Sequence, residues 1–234
     1  MKCLKLLPYF ARLAHRPVDR NAVFYQRCGK LGESGVLREN YLVELSRGKR
    51  VLHFGFLDSP FCEEKISQGK LLHQQLKEVT TFLYGLDIDG QSLELYRKAT
   101  GDHDNALLDI QKPLPSADFL TNNYDVILFP EVLEHLLHPA VALGNLRDIC
   151  SRNSGATLCI TTPNAYSVMA FFTSVTGDEL VHPDHYFYFS PTTLRKLVRD
   201  SGLKMVDLQL YAGPGFLTSP GLTKHGLIAL CSVA

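Results

Sequence analysis

From residue 50 onward the chain alternates short, continuous apolar runs with segments whose apolar residues recur every three or four positions. Runs of that length closed by glycine, aspartate or proline read as strands buried on both faces. They fall at residues 50–54, 81–86, 105–109, 124–129 and 156–161. Between them, residues 63–77 carry Ile66, Leu71, Leu72 and Leu76 near helical spacing. Further helices are predicted over residues 91–98, from near Glu131, and from Pro139, where proline suits a first turn. Ser190-Pro191 is a hydroxyl cap followed by proline, and it opens a helix bearing Leu194, Leu197 and Val198 that stops at Gly202. Residues 204–211 and 227–233 are two last strands with no helix signal between them, so they pair antiparallel through the Gly/Pro-rich stretch 213–221. This alternation predicts an α/β fold, a Rossmann-like, open and mostly parallel sheet with helices on both faces. Ligands in such sheets bind where strands end at their carboxyl tips.

The region before residue 48 has no such regularity. Over residues 8–45 Tyr9, Phe10, Phe24, Tyr25, Tyr41 and Leu42 are separated by charges, and one or two short helices are expected there, lying on the main domain or over its cleft. The expected organisation is therefore an N-terminal helical segment, residues 1–47, on a single domain of residues 48–234. A chain of 234 residues holds one sizeable core and is short for two.

Composition narrows the function. Lys plus Arg and Asp plus Glu both number 24, so the formal net charge is zero, which argues against a nucleic-acid partner. The six cysteines, Cys3, Cys28, Cys62, Cys150, Cys159 and Cys231, form no C-x-x-C pair, and their spacing suits neither a zinc knuckle nor a disulfide framework. A reducing, cytoplasmic setting is expected. No apolar run reaches membrane-spanning length, and residues 1–20 lack the long apolar region of a signal peptide.

Candidate chemistry follows the strand ends. Gly55 ends the first regular strand, where a glycine lets backbone approach a ligand. Asp87, after the second, can accept both hydroxyl hydrogens of a ribose or cap the following helix. Asp109, after the third, can accept from the exocyclic amine of adenine or close a turn. After the fourth, Glu131, Glu134 and His135 share one face if this segment is helical, and two carboxylates with an imidazole suit a divalent ion. The alternative there is a cap at Glu131 and a packed His135.

Together, Val51-Leu-His-Phe-Gly55, Tyr84-Gly-Leu-Asp87, Leu108-Asp109, the run from Tyr124 through Glu131-Val-Leu-Glu134-His135-Leu, Thr161-Thr-Pro-Asn164 and Asp184-His185-Tyr-Phe-Tyr-Phe-Ser190 resemble a class I S-adenosylmethionine-dependent methyltransferase. The branch they are similar to contains the ubiquinone-biosynthesis O-methyltransferases, over about residues 48–211. The resemblance implies a seven-stranded sheet whose last strand is antiparallel, with S-adenosylmethionine across the strand ends. It implies that His53, Gly55 and Phe56 line the methionine moiety and Asp87 holds the ribose. Ile88, Asp109 and Ile110 would hold the adenine, and Phe129 and Pro130 would close the pocket under the sulfonium. The sequence departs from the family at its glycine loop, where the usual acid and three glycines read His53, Gly55, Leu57 and Ser59. Leu57 could obstruct the methionine portion there, whereas Asp58 and Pro60 could form a different turn serving the same purpose.

Some relatives bind a divalent ion through the Glu-x-x-Glu-His motif, and the small-RNA 2′-O-methyltransferases add a histidine from Asp-His-x-Phe. By this resemblance Glu131, Glu134, His135 and His185 form a metal site for Mg2+ or Zn2+, with Glu131 and His135 as the catalytic pair. His182 and His138 read as surface or packing histidines, and residues 168–181, with Phe171 and Phe172, as a substrate lid or a completion of the core. The expected function is methylation of a hydroxyl on a small-molecule acceptor. A non-catalytic binding or scaffold protein with a decayed loop is the alternative. A nicotinamide-dependent dehydrogenase is disfavoured because no G-x-G-x-x-G follows the first strand. An RNA substrate is suggested by His185 and opposed by the balanced charge.

Overall fold

The computed structural model describes residues 32–59, 61–179, 181–212 and 225–233. In chain order the elements are β1 (Gly32–Leu37), α1 (Arg38–Ser46), β2 (Arg50–Phe54), α2 (Cys62–Ser67), α3 (Leu72–Lys77), β3 (Phe82–Asp87), α4 (Gly90–Thr100) and β4 (Asn105–Leu107). There follow β5 (Val126–Pro130), α5 (Pro139–Arg152), β6 (Thr157–Pro163), α6 (Val168–Thr176), α7 (Pro191–Asp200), β7 (Leu203–Ala212) and β8 (Gly226–Val233), with 3-10 turns at Asp118–Leu120 and Leu133–His135.

The strands form one sheet in the order β1-β7-β8-β6-β5-β2-β3-β4. The five strands from β6 through β4 are parallel, and β8 alone runs antiparallel, to β6 on one side and β7 on the other. This is the expected Rossmann-like arrangement with an antiparallel last strand. To the seven expected strands the structure adds an eighth, β1, parallel to β7 at the sheet edge. Helices were expected across this region. The sequence Gly-Glu-Ser-Gly-Val-Leu has no strand alternation of its own, and its conformation is set by the unpaired donors and acceptors along β7. The helical part of the N-terminal segment that falls among the described residues is α1.

Strand alternation sorts the core onto the two faces of the sheet. Leu52, Phe54, Ile127, Phe129, Leu158 and Ile160 share a cluster with Leu143, Leu146 and Ile149 of α5 and with Leu194 and Val198 of α7. Val51, Val126, Leu128, Cys159 and Ile228 pack on the other side with Leu42 of α1 and Leu76 of α3. The four described cysteines at 62, 150, 159 and 231 are free and buried.

Two expected helices take other forms. Residues 63–77 make two short helices, because the chain turns through Gly69 in the left-handed region (φ 64°) and buries Leu71 at the junction. The helix expected from Glu131 is replaced by a 3-10 turn. Glu131 itself is left-handed (φ 51°) and donates its N–H to the Thr161 carbonyl, which extends the sheet edge past Pro130. The helix start at Ser190 is as expected: its hydroxyl accepts from the Thr193 N–H and the Thr193 hydroxyl accepts from the Ser190 N–H, a reciprocal cap ahead of Pro191.

Candidate active site

At the carboxyl tips of β2 and β3, a loop and a carboxylate are tied together. Gly55 is left-handed (φ 63°), and its N–H donates to the Leu86 carbonyl at 2.8 Å. A Cβ at Gly55 would collide with Val132 Cγ2, so the loop after β2 lies directly against the turn after β5. Gly55→Ala is therefore expected to lower both stability and nucleoside affinity. The left-handed backbone alone costs about 1–2 kcal/mol in an L-residue, and Val132 must also shift. Paired urea titrations of Gly55→Ala and of Gly55→Ala/Val132→Ala check this, the second variant recovering the steric part only.

Leu57 does not enter the cleft. It is 0% exposed, packed with Phe56, Cys62, Leu71, Leu93 and Tyr96 behind the loop. Its N–H faces the other way and donates to Asp87 Oδ2 at 3.0 Å, while the Asp89 N–H donates to Asp87 Oδ1 at 3.0 Å. A carboxylate offers about four lone-pair sites, so Asp87 keeps capacity for a further donor. Burial pushes the Asp87 carboxyl above its usual range, partly opposed by those N–H groups. The loop's next left-handed residue is Asp58 (φ 55°), where a family glycine is not present, and its side chain pairs with Lys65. Position 60 lies outside the described residues.

Asp89, not Asp87, caps α4, accepting from the Gln91 and Ser92 N–H groups. Asp87 is thereby left for the cleft. Beside it Ile88 is 64% exposed. Asp109 accepts from the Gln111 N–H (3.0 Å) in a local turn and faces Lys112 at 3.4 Å. The donor set at these tips, acceptor oxygens at Asp87 and Asp109 flanking exposed Ile88, fits the hydroxyls, amine and apolar face of an adenosine.

Five residues expected to contact the cofactor are buried. His53 is 1% exposed on the face of β2 opposite Leu52, with Nδ1 3.2 Å from His73 Nδ1. Phe56 packs on His73 and Tyr96, Phe129 on Phe54, and Ile110 is buried under α5, its carbonyl accepting from Asn145 Nδ2 at 2.7 Å. Each belongs to the core. Pro130 is likewise buried.

Across the cleft, Glu131 is pinned by three donors. Its Oε1 accepts from Thr161 Oγ1 (2.7 Å) and Tyr211 Oη (3.1 Å) and lies 3.5 Å from Arg38 Nη1. Burial and the Glu131 charge hold the Tyr211 phenol well above its ordinary range. Glu134 is different: it is 0% exposed, and neither carboxyl oxygen has a hydrogen-bond partner. Burial, and then the Glu131 charge, push its carboxyl well above the usual range, which favours the neutral form. The Glu134 carbonyl accepts from the N–H groups of Tyr186 (2.9 Å) and Phe187 (3.2 Å), which draws the segment after α6 onto the turn after β5.

That tether assembles three histidines. Among the described residues, His135, His182 and His185 place ligand nitrogens within 4.8 Å of one another, and ring centroids are 4.5 Å apart for His135–His185 and 5.2 Å for His182–His185. Burial lowers the imidazoles of His135 and His185, so both favour the neutral, ligating form. Of the expected ion ligands, His135 and His185 are brought together, and neither Glu131 nor Glu134 joins the group. The shared helical face expected for Glu131, Glu134 and His135 is lost because the turn is not α-helical.

A family model described as "Methyltransferase domain" matches residues 35–208. The chain belongs to this methyltransferase family. The family supports the reading of the chain as an S-adenosylmethionine-dependent methyltransferase. No curated protein sequence matches it. Among solved structures, an S-adenosylmethionine-dependent methyltransferase of Thermotoga maritima is 16% identical, covering 97% of each chain with a TM-score of 0.56. Magnesium protoporphyrin IX methyltransferase of Synechocystis PCC 6803, solved with S-adenosylhomocysteine, is 13% identical over 84% of this chain and 82% of its own, TM-score 0.53. The small RNA methyltransferase HEN1 is 18% identical over 89% of this chain and 27% of its own, TM-score 0.59.

Two participants in the methyltransferase site were not anticipated. Arg38 and Tyr211 reach Glu131 from the two ends of the sequence, and no local motif marks them. His182 was legible only as the other half of His182-Pro-Asp-His185, a spacing that closes a turn through the His185 N–H and the His182 carbonyl at 3.0 Å. Phe172 of the expected lid region is exposed, as are Tyr166 and Tyr186. No described helix is long and apolar enough to cross a membrane.

Proposed function

We propose that the methyltransferase acts on a hydroxyl of a small-molecule acceptor, the chemistry of the ubiquinone-biosynthesis branch it resembles, with or without assistance from a divalent ion. The observation that carries this reading is the contact of Val132 with Gly55. It sets Glu131 and His135 against the loop that flanks Asp87, so a proton acceptor adjoins a nucleoside site. S-adenosylmethionine supplies an electrophilic methyl group on its sulfonium. Asp87 accepts the ribose hydroxyls, Ile88 covers the adenine and Asp109 accepts from its amine. Glu131, fixed by Thr161, Tyr211 and Arg38, orients the acceptor, and neutral His135 receives the hydroxyl proton as the oxygen becomes nucleophilic. An ion held by His135 and His185 would acidify that hydroxyl instead, and Glu131 would then receive the proton. Positioning the two reactants supplies much of the rate.

The test is a panel of phenols, catechols, amines and thiols incubated with the methyltransferase and S-adenosylmethionine, with products read by mass. A methyl ether is expected, its formation falling by on the order of 100-fold in His135→Ala. Transfer confined to nitrogen acceptors, or turnover indifferent to His135→Ala, would overturn the assignment.

A further inference from the structure

We infer that His135, His182 and His185 form a three-imidazole site for a borderline transition ion, zinc before magnesium, with His182 as the ligand that completes it. Three nitrogens bound tetrahedrally to zinc at about 2.0–2.1 Å stand roughly 3.3 Å apart. The donors here already lie within 4.8 Å, on two loops that the Glu134 carbonyl ties together through Tyr186 and Phe187. The closure required is a ring rotation, not a refolding.

Three further observations favour an ion. His185 Nδ1 is shut off from solvent and has no hydrogen-bond partner. A hydrogen bond to the Asp184 backbone fixes one face of His135, and the Asp184 carboxylate lies 3.9 Å from His182 Nδ1, the outer acceptors that metal-bound imidazoles use to hold their orientation. The Asp184 N–H now donates to that Nδ1 at 3.3 Å, a long bond that ligation would exchange for the carboxylate. Neither Glu131, held through Oε1 by Thr161 and Tyr211, nor Glu134, sealed in the interior, belongs to the group, so the oxygen-rich ligation that magnesium demands is not assembled here. Imidazole donors select zinc, cobalt or copper instead. Three protein nitrogens leave a fourth position open, and its use by the acceptor hydroxyl rests on the function proposed above. The ion site itself does not.

The experiment uses the full chain, stripped with chelator and then dialysed against equal Zn2+ and Mg2+, with retained metal measured by mass spectrometry and Co2+ loading followed by visible absorption. About one zinc per chain is expected, no magnesium, and a Co2+ spectrum of nitrogen coordination. His182→Ala is expected to weaken zinc by more than the ~10–100-fold typical of losing an outer-shell partner, while Glu131→Gln and His138→Ala retain it. Urea midpoints establish that each variant folds, and His182→Gln serves if the alanine variant does not. Retention of magnesium, failure to hold zinc or cobalt, or wild-type zinc in His182→Ala and His182→Gln would overturn the site. Calorimetry with S-adenosylhomocysteine is run in parallel. Zinc without nucleoside binding keeps this site and removes the transfer reading, and the converse removes the site alone.

Discussion

Asp87→Ala is expected to weaken S-adenosylhomocysteine binding by at least ~100-fold, the equivalent of about 3 kcal/mol. Two contributions add. The variant loses the charged acceptor for the ribose hydroxyls, and hydrogen bonds to a charged group are among the stronger ones. It also releases the N–H groups of Leu57 and Asp89, which Asp87 holds at 3.0 Å each, so the loop that shapes the methionine side loses its anchor. Asp87→Asn separates the two. One oxygen remains to accept from a single N–H, and the affinity should fall between wild type and alanine. Calorimetric titration measures both, with urea midpoints confirming the fold. Affinities within about threefold of wild type for Asp87→Ala would mean that the nucleoside does not lie on the β3 tip.

Acidification should unfold this protein more readily than its carboxylates alone would cause. His53 and His73 face each other through Nδ1 atoms 3.2 Å apart, and neither Nε2 has a partner. Burial, reinforced by His73 and Arg38, holds His53 well below its ordinary range; burial, reinforced by Lys77, brings His73 down to about 3. In the unfolded chain both take protons near pH ~6.5. Stability is therefore intact above that pH and declines below it, because the unfolded state binds protons the folded state cannot accommodate. The slope is about 1.4 kcal/mol per pH unit for each imidazole, and for His73 it persists until the pH nears its folded value. Glu134 acts in the opposite sense. Its raised carboxyl loses stability as pH rises above the ordinary carboxylate range, which offsets one of the two slopes. Urea midpoints between neutrality and about pH 5 should fall in wild type, fall more steeply in Glu134→Gln, and cease to fall in His53→Leu/His73→Leu. An unchanged wild-type midpoint would show that the pair is hydrated.

How much of this the sequence disclosed depends on whether the deciding contact is local. The buried parallel strands were legible because a strand covered on both faces must be apolar throughout, as Val126–Pro130 is, and the cap at Ser190-Pro191 was legible because its partners lie within three residues. Asp87 could be placed at a strand tip from the run before it. By contrast, β1 takes its conformation from the edge of β7, some 175 residues later, and its own residues carry no trace of that. Glu131 defeated the helical reading because a glutamate at φ 51° goes against local preference and is sustained by Thr161, Tyr211 and Arg38. His53 replaces a family acid, and its partner His73 sits 20 positions away on a short helix. The histidine cluster required a loop folded back on a carbonyl, which periodicity does not encode.

The pairing of β1 with β7 also bears on how this chain can be handled. Trimming the protein past Leu37 would strip the cover from residues 209–212 of β7 and leave the whole edge of that ten-residue strand open to an extended peptide. The border on this side of the sheet is thus a selvedge of six residues in place of one of ten, a shorter row for a neighbouring molecule to be woven onto.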